Sequence, residues 1–381
     1  MADLCIITKT WRGGAAWQAQ MIAGAIARAG ARVVFIAPKA EPEAREPRDE
    51  NLQRILVPRE ITEDAPRWRR AIASLRRIMS SSFAALRQQK ATNAFLFMIP
   101  EPLLFTLPLL VLLRLTRRQI LFLVHDAEPH AWKFSGALRA LERSAHLWSY
   151  RLATKIIVLT PTVRDALTRM IDAAPDKIVV IPHGPFVVDS VPPAPGLRHL
   201  LMFGSLRRNK SVLEVAQGIV MARRKGMDVK LILAGEPLRE EPGYWDECLK
   251  VISEDPSGFD VRASFISDDD LPSLLAEVDA FVLAYDNFHS QSGVAVLAAL
   301  AGRPVIGTRS GGLSELFEIG MSGQVIEHPV TAESIASGIE AFYSIPIDEW
   351  HRRAALGAER VAETLSWDDI GSAYVKLIKQ E

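Results

Sequence analysis

The stretch HLLMFGSLRRNKSVLEVAQGIVMARRKGMDVKLILA, residues 199–234, decides the fold class. His199–Phe203 and Val229–Ala234 are short apolar runs, and Ser211–Lys225 between them reads as a helix. A strand covered on both faces has no polar side and shows no alternation, so the segment predicts parallel strands joined by a helical crossover. Downstream, strands are expected at Val261–Ile266, Ala280–Ala284, Pro304–Thr308 and Gly323–Ile326. Helices are expected there at Tyr244–Ile252, Leu271–Glu277, Val294–Ala301 and Ala332–Tyr343. Upstream, the same alternation places strands at Leu4–Thr8, Val33–Ala37, Arg54–Val57, Ala94–Ile99, Ile120–His125, Lys155–Leu159 and Lys177–Ile181. Helices at Ala15–Ala29, Trp68–Gln89 and Ser135–Leu152 separate them. The whole predicts an α/β protein of two Rossmann-like, doubly wound domains facing across a cleft. The Pro- and Gly-rich break VPPAPG, Val191–Gly196, separates them. The expected domains are 1–190 and 197–347, with helices over 348–381 placed to pack back on the N-terminal domain.

The length of 381 residues suits two domains at about 150 residues each. With 49% hydrophobic and 24% charged residues, disordered, collagen-like and disulfide-scaffold classes are excluded. The two cysteines, Cys5 and Cys248, have no CxxC spacing, which argues against a thiolate metal site and fits a reducing compartment. The N-terminus lacks a basic segment followed by a long apolar one, so a cytoplasmic location is expected. The formal net charge is zero, yet residues 1–190 hold 27 Lys and Arg against 17 Asp and Glu, and the remainder 18 against 28. A basic half suits nucleic acid, another polyanion or an anionic membrane surface, and charge alone does not choose.

Two segments bear on the membrane. Leu103–Leu113 (LLFTLPLLVLL) is apolar, but eleven residues fall short of the ~20 that span a bilayer. It reads as a buried helix or as a peripheral contact. Pro66–Lys90 carries Arg67, Arg69, Arg70, Arg76, Arg77, Arg87 and Lys90, with Trp68, Ile72, Leu75, Met79, Phe83 and Leu86 able to share one helical face. Such a helix either packs its stripe on the sheet or lies in the headgroup region at the inner face of the plasma membrane.

The chemistry gathers at the ends of predicted strands, where open α/β sheets bind ligands. After the first strand comes Thr10-Trp11-Arg12-Gly13-Gly14 and a helix. Gly13 and Gly14 either let the backbone approach an anionic ligand or make a tight turn without one. His125-Asp126 ends the fifth strand, followed by Glu128, Pro129 and His130. A lone histidine is more often structural, but at this place His125 can bond a sugar hydroxyl or a phosphate, or move a proton. In the second domain Phe203-Gly204 precedes Arg207 and Lys210, a forked donor and a compact charge suited to a diphosphate leaving group. Ser290-Gln291-Ser292-Gly293 caps a small-residue helix whose amides can face a phosphate. Gly302-Arg303-Pro304-Val305 leads into a strand, and Gly311-Gly312 with Glu315 opens another helix.

These segments resemble the retaining GT-B glycosyltransferases of glycosyltransferase family 4 (glycosyl transferases group 1), over nearly the whole chain and most sharply from His199 to Glu327. FGSLRRNKS is similar to that family's F-G-x-(I/L)-R-x-x-K-G segment, which implies Arg207 and Lys210 on the donor diphosphate; Ser211 stands where Gly is common. His125 matches the active-site His implied to contact the transferred sugar, IPHGPF at Ile181–Phe186 resembles another family segment, and Gly13-Gly14 resembles the glycine loop beside the diphosphate. ALAGRPVIGTRSGGLSEL is similar to the family run ending in G-G-x-x-E, so Glu315 matches a family Glu or merely caps a helix. The paired glutamates of many members fall at His289 and Leu297, or one residue later at Ser290 and Ala298, and neither register holds a Glu. The SQSG version resembles a subgroup acting in bacterial surface-polysaccharide assembly, and Gln291, Ser292 and the Gly293 amide are the expected substitutes.

The resemblance implies transfer of a sugar, with retention, from a nucleoside diphosphate donor bound by the second domain to a glycan or lipid-linked acceptor bound by the first. No metal and no resident cofactor are expected. A front-face route, in which the leaving phosphate accepts the acceptor proton, needs no protein base. Two other readings stand beside it: a catalytically degenerate binder of nucleotide sugars or of a partner enzyme, and nucleic-acid binding by the basic half. The second is disfavoured, because arginines interleaved with exposed aromatics on strands are not evident.

Overall fold

The computed structural model describes all residues except 1, 12, 40–47, 60–64, 99–102, 128–135, 173, 186–190, 239, 240, 242, 268, 287, 289, 380 and 381. The chain forms two compact units, one of Met1–Gly184 with Ser366–Glu381 and the other of Pro185–Leu365. The first runs β1 (Ala2–Ile7), α1 (Gly13–Arg28), β2 (Val33–Pro38), β3 (Leu52–Val57), α2 (Arg67–Gln88), β4 (Thr92–Met98), α3 (Leu103–Leu115), β5 (Gln119–Val124), α4 (Gly136–Leu152), β6 (Lys155–Val158), α5 (Pro161–Ile171) and β7 (Ile178–Val180). Its sheet is parallel, in the order β3-β2-β1-β4-β5-β6-β7. The apolar runs are uninterrupted because neighbouring residues serve opposite cores. Leu4 and Ile6 enter the cluster on one face, Cys5 and Ile7 the cluster on the other.

The second unit runs β8 (His199–Phe203), α6 (Val212–Arg224), β9 (Lys230–Ala234), α7 (Tyr244–Ile252), β10 (Phe259–Arg262), α8 (Leu271–Ala276), β11 (Ala280–Leu283), α9 (Gly293–Leu300), β12 (Val305–Thr308), α10 (Gly312–Ile319), β13 (Gly323–Ile326), α11 (Ala332–Tyr343) and α12 (Ile347–Thr364). Its six parallel strands follow the order β10-β9-β8-β11-β12-β13. In both sheets the order reverses beside the first strand, next to β4 in one and β11 in the other, and such switch points open a crevice beyond the strand ends. The strand expected over Val261–Ile266 begins earlier and ends at Arg262. Helix α5 was not foreseen, although Thr160 caps Val163 N and Pro161 opens the first turn.

The expected C-terminal segment 348–381 is divided. Helix α12 stays with the second unit, and α13 (Trp367–Lys379) packs on α1 of the first, with Gly371 against the Ala25 carbonyl. The VPPAPG segment is pinned to the second unit by two buried side chains. Asp279 accepts from the Gly196 and Arg198 amides, both at 2.7 Å. Arg303, 2% exposed, donates to Pro192 O and Leu275 O. Arg303, in the run read as leading into a strand, is thus bonded to backbone carbonyls.

Helix α2 faces the opposite way from a core-packing helix. Trp68, Ile72, Leu75, Met79 and Phe83 are 48–63% exposed, while Arg77, Ile78, Ser81 and Ala85 form the buried side. Helix α3 buries Leu103, Leu109, Leu110 and Leu113 but leaves Phe105, Val111 and Leu112 exposed. Among the described residues no helix is long and apolar enough to cross a membrane.

Candidate functional site

In the second unit the switch point lies between β8 and β11, and the predicted residues of this unit gather on the turns that follow these strands and β12. After β8 the chain turns at Gly204 (φ +84°), where a Cβ would stand 3.3 Å from Lys210 Nζ and 3.6 Å from Val294 in the first turn of α9. Gly235, at the end of β9, could carry no Cβ without overlapping the Gly204 carbonyl. A short 3-10 turn, Arg208–Lys210, is tied to the end of β11 by the Asp286 amide donating to Asn209 O at 3.2 Å.

This packing buries Lys210, 7% exposed, with Nζ donating to Phe203 O at 2.9 Å and lying 5.9 Å from the Tyr285 ring centre. Burial, aided by the Arg207 charge, pulls its pKa down to about 7. Arg207 is half-buried, and its Nε is shielded from solvent without a hydrogen-bond partner. Among the described residues no carboxylate pairs with either cation. A cation pair with an unsatisfied donor and no protein anion is suited to an anionic ligand.

Ser292 caps α9, accepting from Ala295 N at 3.2 Å, and its hydroxyl meets Tyr285 Oη at 3.2 Å. Burial raises the Tyr285 phenol to about 12 against the opposing Ser292 bond and Arg207 charge, so it stays neutral. Gly312 opens α10 directly against this loop: its amide donates to Ser290 O at 3.0 Å, and a Cβ there would meet Gln291 Cα at 2.7 Å. The starts of two helices are thereby joined. Lys210 and the charge of Arg207 act on Tyr285, which bonds Ser292 at the start of α9, while Gln291 packs on Gly312. Glu315 stands on the adjoining first turn of α10, where burial and neighbouring Glu318 raise its pKa to about 7. A carboxyl so poised can both donate to and accept from a hydroxyl.

Ser211, standing where glycine was expected, adopts φ +54°, ψ +42° at the start of α6. A side chain in the left-handed region costs about 1–2 kcal/mol, offset by the roughly 0.5–1 kcal/mol of chain entropy that glycine loses on folding. Ser211→Gly is therefore expected to stabilise the second unit by up to about 1 kcal/mol in chemical denaturation.

In the first unit, α1 begins at Gly13, so Gly13 and Gly14 form the helix start and not a preceding turn; nothing lies within 4 Å of a Cβ built at Gly14. His125 follows β5 directly and its Nε2 meets Gln18 Oε1 of α1 at 2.6 Å. Gln18 is 1% exposed, and its Nε2 has no partner. Gln18 thus fixes Nε2 as the protonated nitrogen of His125, a role that sequence reading missed because a glutamine in an alanine-rich helix gives no local signal. His183, of the Ile181–Phe186 segment, is buried with Nδ1 donating to Gly184 O at 2.6 Å, its ring stacked on Trp17. Burial is the main cause holding its pKa down to about 4, so it is neutral. Beyond β1–β3 a small pocket is lined by Thr8, Thr10, Gln20 and Arg54. Glu128, Pro129, His130, Phe186 and His289 lie outside the described residues. Among those described, no group of three or more His, Cys, Asp or Glu is placed to hold a metal ion.

Two parallel, doubly wound sheets with polar and cationic turns at their carboxyl ends define an α/β protein of the doubly wound class. Residues 12–185 match the family described as Glycosyltransferase Family 4, and residues 198–344 that described as Glycosyl transferases group 1. The two matches together take in most of the chain, whose first part matches the one glycosyltransferase family and whose second part the other. A glycogen synthase of Mycobacterium tuberculosis is 25% identical over 262 residues, 66% of this chain and 60% of that protein's length. A lipopolysaccharide 1,2-N-acetylglucosaminetransferase of Salmonella typhimurium is 24% identical over 183 residues, 47% of this chain and 48% of the relative. Among solved structures, a sucrose-phosphate synthase from Thermosynechococcus elongatus superposes with a TM-score of 0.73 at 17% identity, covering 100% of this chain and 99% of the other. Anabaena HepE in complex with UDP-glucose gives 0.71 at 15% identity, with 100% of both chains covered. The fold is GT-B.

Proposed function

We propose that the protein transfers a sugar from a nucleoside diphosphate donor to a glycan acceptor, lipid-linked and destined for a polysaccharide, with retention at the anomeric carbon. The observation that carries this reading is the Arg207–Lys210 pair at the switch point of the second sheet. The bond from the anomeric carbon to the β-phosphate oxygen breaks, and the acceptor oxygen bonds to that carbon on the same face. The acceptor proton passes to the leaving phosphate, whose growing charge Arg207 and Lys210 stabilise. Gln291, Ser292 and the Gly293 amide take the place of the paired glutamates, and the half-protonated Glu315 bonds a donor hydroxyl. His125, with its tautomer set by Gln18, contacts the transferred sugar. The pocket at Thr8, Thr10, Gln20 and Arg54, together with the basic balance of the first half, supports acceptor binding by the first unit. The likeness to HepE, solved with UDP-glucose, supports a nucleotide-sugar donor.

A panel of UDP-, GDP- and ADP-sugars in thermal unfolding tests the reading. One class should stabilise the protein, by about 2.7 kcal/mol at a hundredfold excess over Kd. The same donor, radiolabelled, should then pass its sugar to an acceptor or to water. Stabilisation without any turnover would mark a degenerate binder, the reading favoured by the buried apolar side chain, Leu297 or Ala298, that either register puts at the second acidic place. No stabilisation by any donor would remove the nucleotide-sugar reading.

A further inference from the structure

We propose that α2, α3 and α4 of the first unit form a face that seats the protein on an anionic lipid bilayer. This goes beyond the transferase reading and stands without it. The five exposed apolar side chains of α2 recur at helical spacing along most of the helix, so they make one stripe on the solvent side. Helix α3 packs against both α2 and α4 and continues the surface with Phe105, Val111, Leu112 and Leu115, while α4 adds Leu138, Leu141 and Trp148. Twelve large apolar side chains exposed on three neighbouring helices are a concentration of exposed apolar residues and not a scatter of single ones.

Charge selects the occupant. Helices α2 and α3 contain no Asp or Glu, and α4 contains one Glu, Glu142. Arginines lie beside the exposed rings themselves: Arg69 over Trp68 at 5.2 Å, Arg87 over Phe83 at 4.4 Å and Arg151 over Trp148 at 5.5 Å. Rings and arginines alone would also suit a protein interface, but charge almost all of one sign along three helices suits an anionic surface, and a helix lying in the headgroup plane needs rings at the acyl boundary and cations at phosphate level. The 22-residue α2 is about 33 Å long. It can lie flat with its stripe about 5–10 Å into the boundary.

Flotation with phosphatidylcholine vesicles, with and without phosphatidylglycerol, tests the proposal at physiological salt. The protein is expected to float with the anionic vesicles and to leave them as salt rises. Arg69→Gln, Arg76→Gln and Arg87→Gln together should lower partitioning on the order of 100-fold, since each basic residue near such a surface is worth about fivefold. Trp68→Ser with Met79→Ser and Phe83→Ser should abolish flotation. All six positions are exposed, so unfolding temperature and donor stabilisation should match the parent protein and separate this test from the transferase one. Three results would overturn the proposal: no flotation of the parent, flotation of both variants equal to the parent's, or a concentration-dependent dimer in sedimentation that the serine variant dissolves. The last would assign the face to a second copy.

Discussion

Lys210→Met is expected to lower kcat/KM for sugar transfer by about 10²–10³-fold, the loss seen when one donor to developing charge is removed. It is also expected to leave the second unit as stable as before, or more so. Methionine keeps the length of the buried stem, and an ammonium held away from water with one carbonyl partner at 2.9 Å opposes folding. A structural lysine would behave the other way, losing stability first. Steady-state kinetics with chemical denaturation on the same preparations distinguishes the two. Equal losses in stability and activity would demote Lys210 to a packing residue.

The same lysine gives a pH dependence whose sign is fixed. Its pKa in the folded protein, about 7, lies below the ordinary 10.5 of an unfolded chain. Above pH 7 the folded protein therefore holds fewer protons here than the unfolded one, and stability from this group rises with pH between those limits. A bound diphosphate favours the charged form, so donor binding above pH 7 takes up a proton. Affinity for the intact nucleotide sugar should weaken by up to tenfold per pH unit above 7, a slope absent from Lys210→Met.

The strands were legible because burial on both faces removes the polar alternation, as Leu200 and Met202 on one side of β8 and Leu201 on the other show. The cation turn was legible too, because a glycine ending a strand and two cations before a helix are local features. What escaped reading depends on contacts distant in sequence. An amphipathic pattern says that α2 has an apolar face but not which way it points. Small residues, Ser81 and Ala85, let the other face lie on the sheet. Arg303 stands in a run leading into a strand, and only Pro192, over a hundred residues away, shows why a buried arginine belongs there. Gln18 carries no motif and gains meaning only when β5 delivers His125 to it.

The last helix carries the second large effect. Gly371→Leu is expected to destabilise the first unit by about 3 kcal/mol, at the upper end for overpacking, because the obstacle is backbone and not a side chain that can rotate away. The new Cβ would overlap the Ala25 carbonyl of α1, and α13 can relieve this only by lifting off. Lifting exposes Ile370, Tyr374, Leu377 and Ile378, and withdraws Trp367 from Gly184, where its ring leaves no room for a Cβ. Trp367 also lies 5.9 Å from Trp17 and 6.3 Å from His183, ring centre to ring centre. Its loss frees the helix that carries both Trp17 and Gln18, and with Gln18 goes the orientation of His125. Turnover should therefore fall while stabilisation by the donor, which the proposed function places on the second unit, persists. Limited proteolysis should cut the variant near Ser366 before the parent is touched. If unfolding and proteolysis of the variant match the parent, α13 is not what holds α1 in place, and the positioning of His125 must come from the sheet alone.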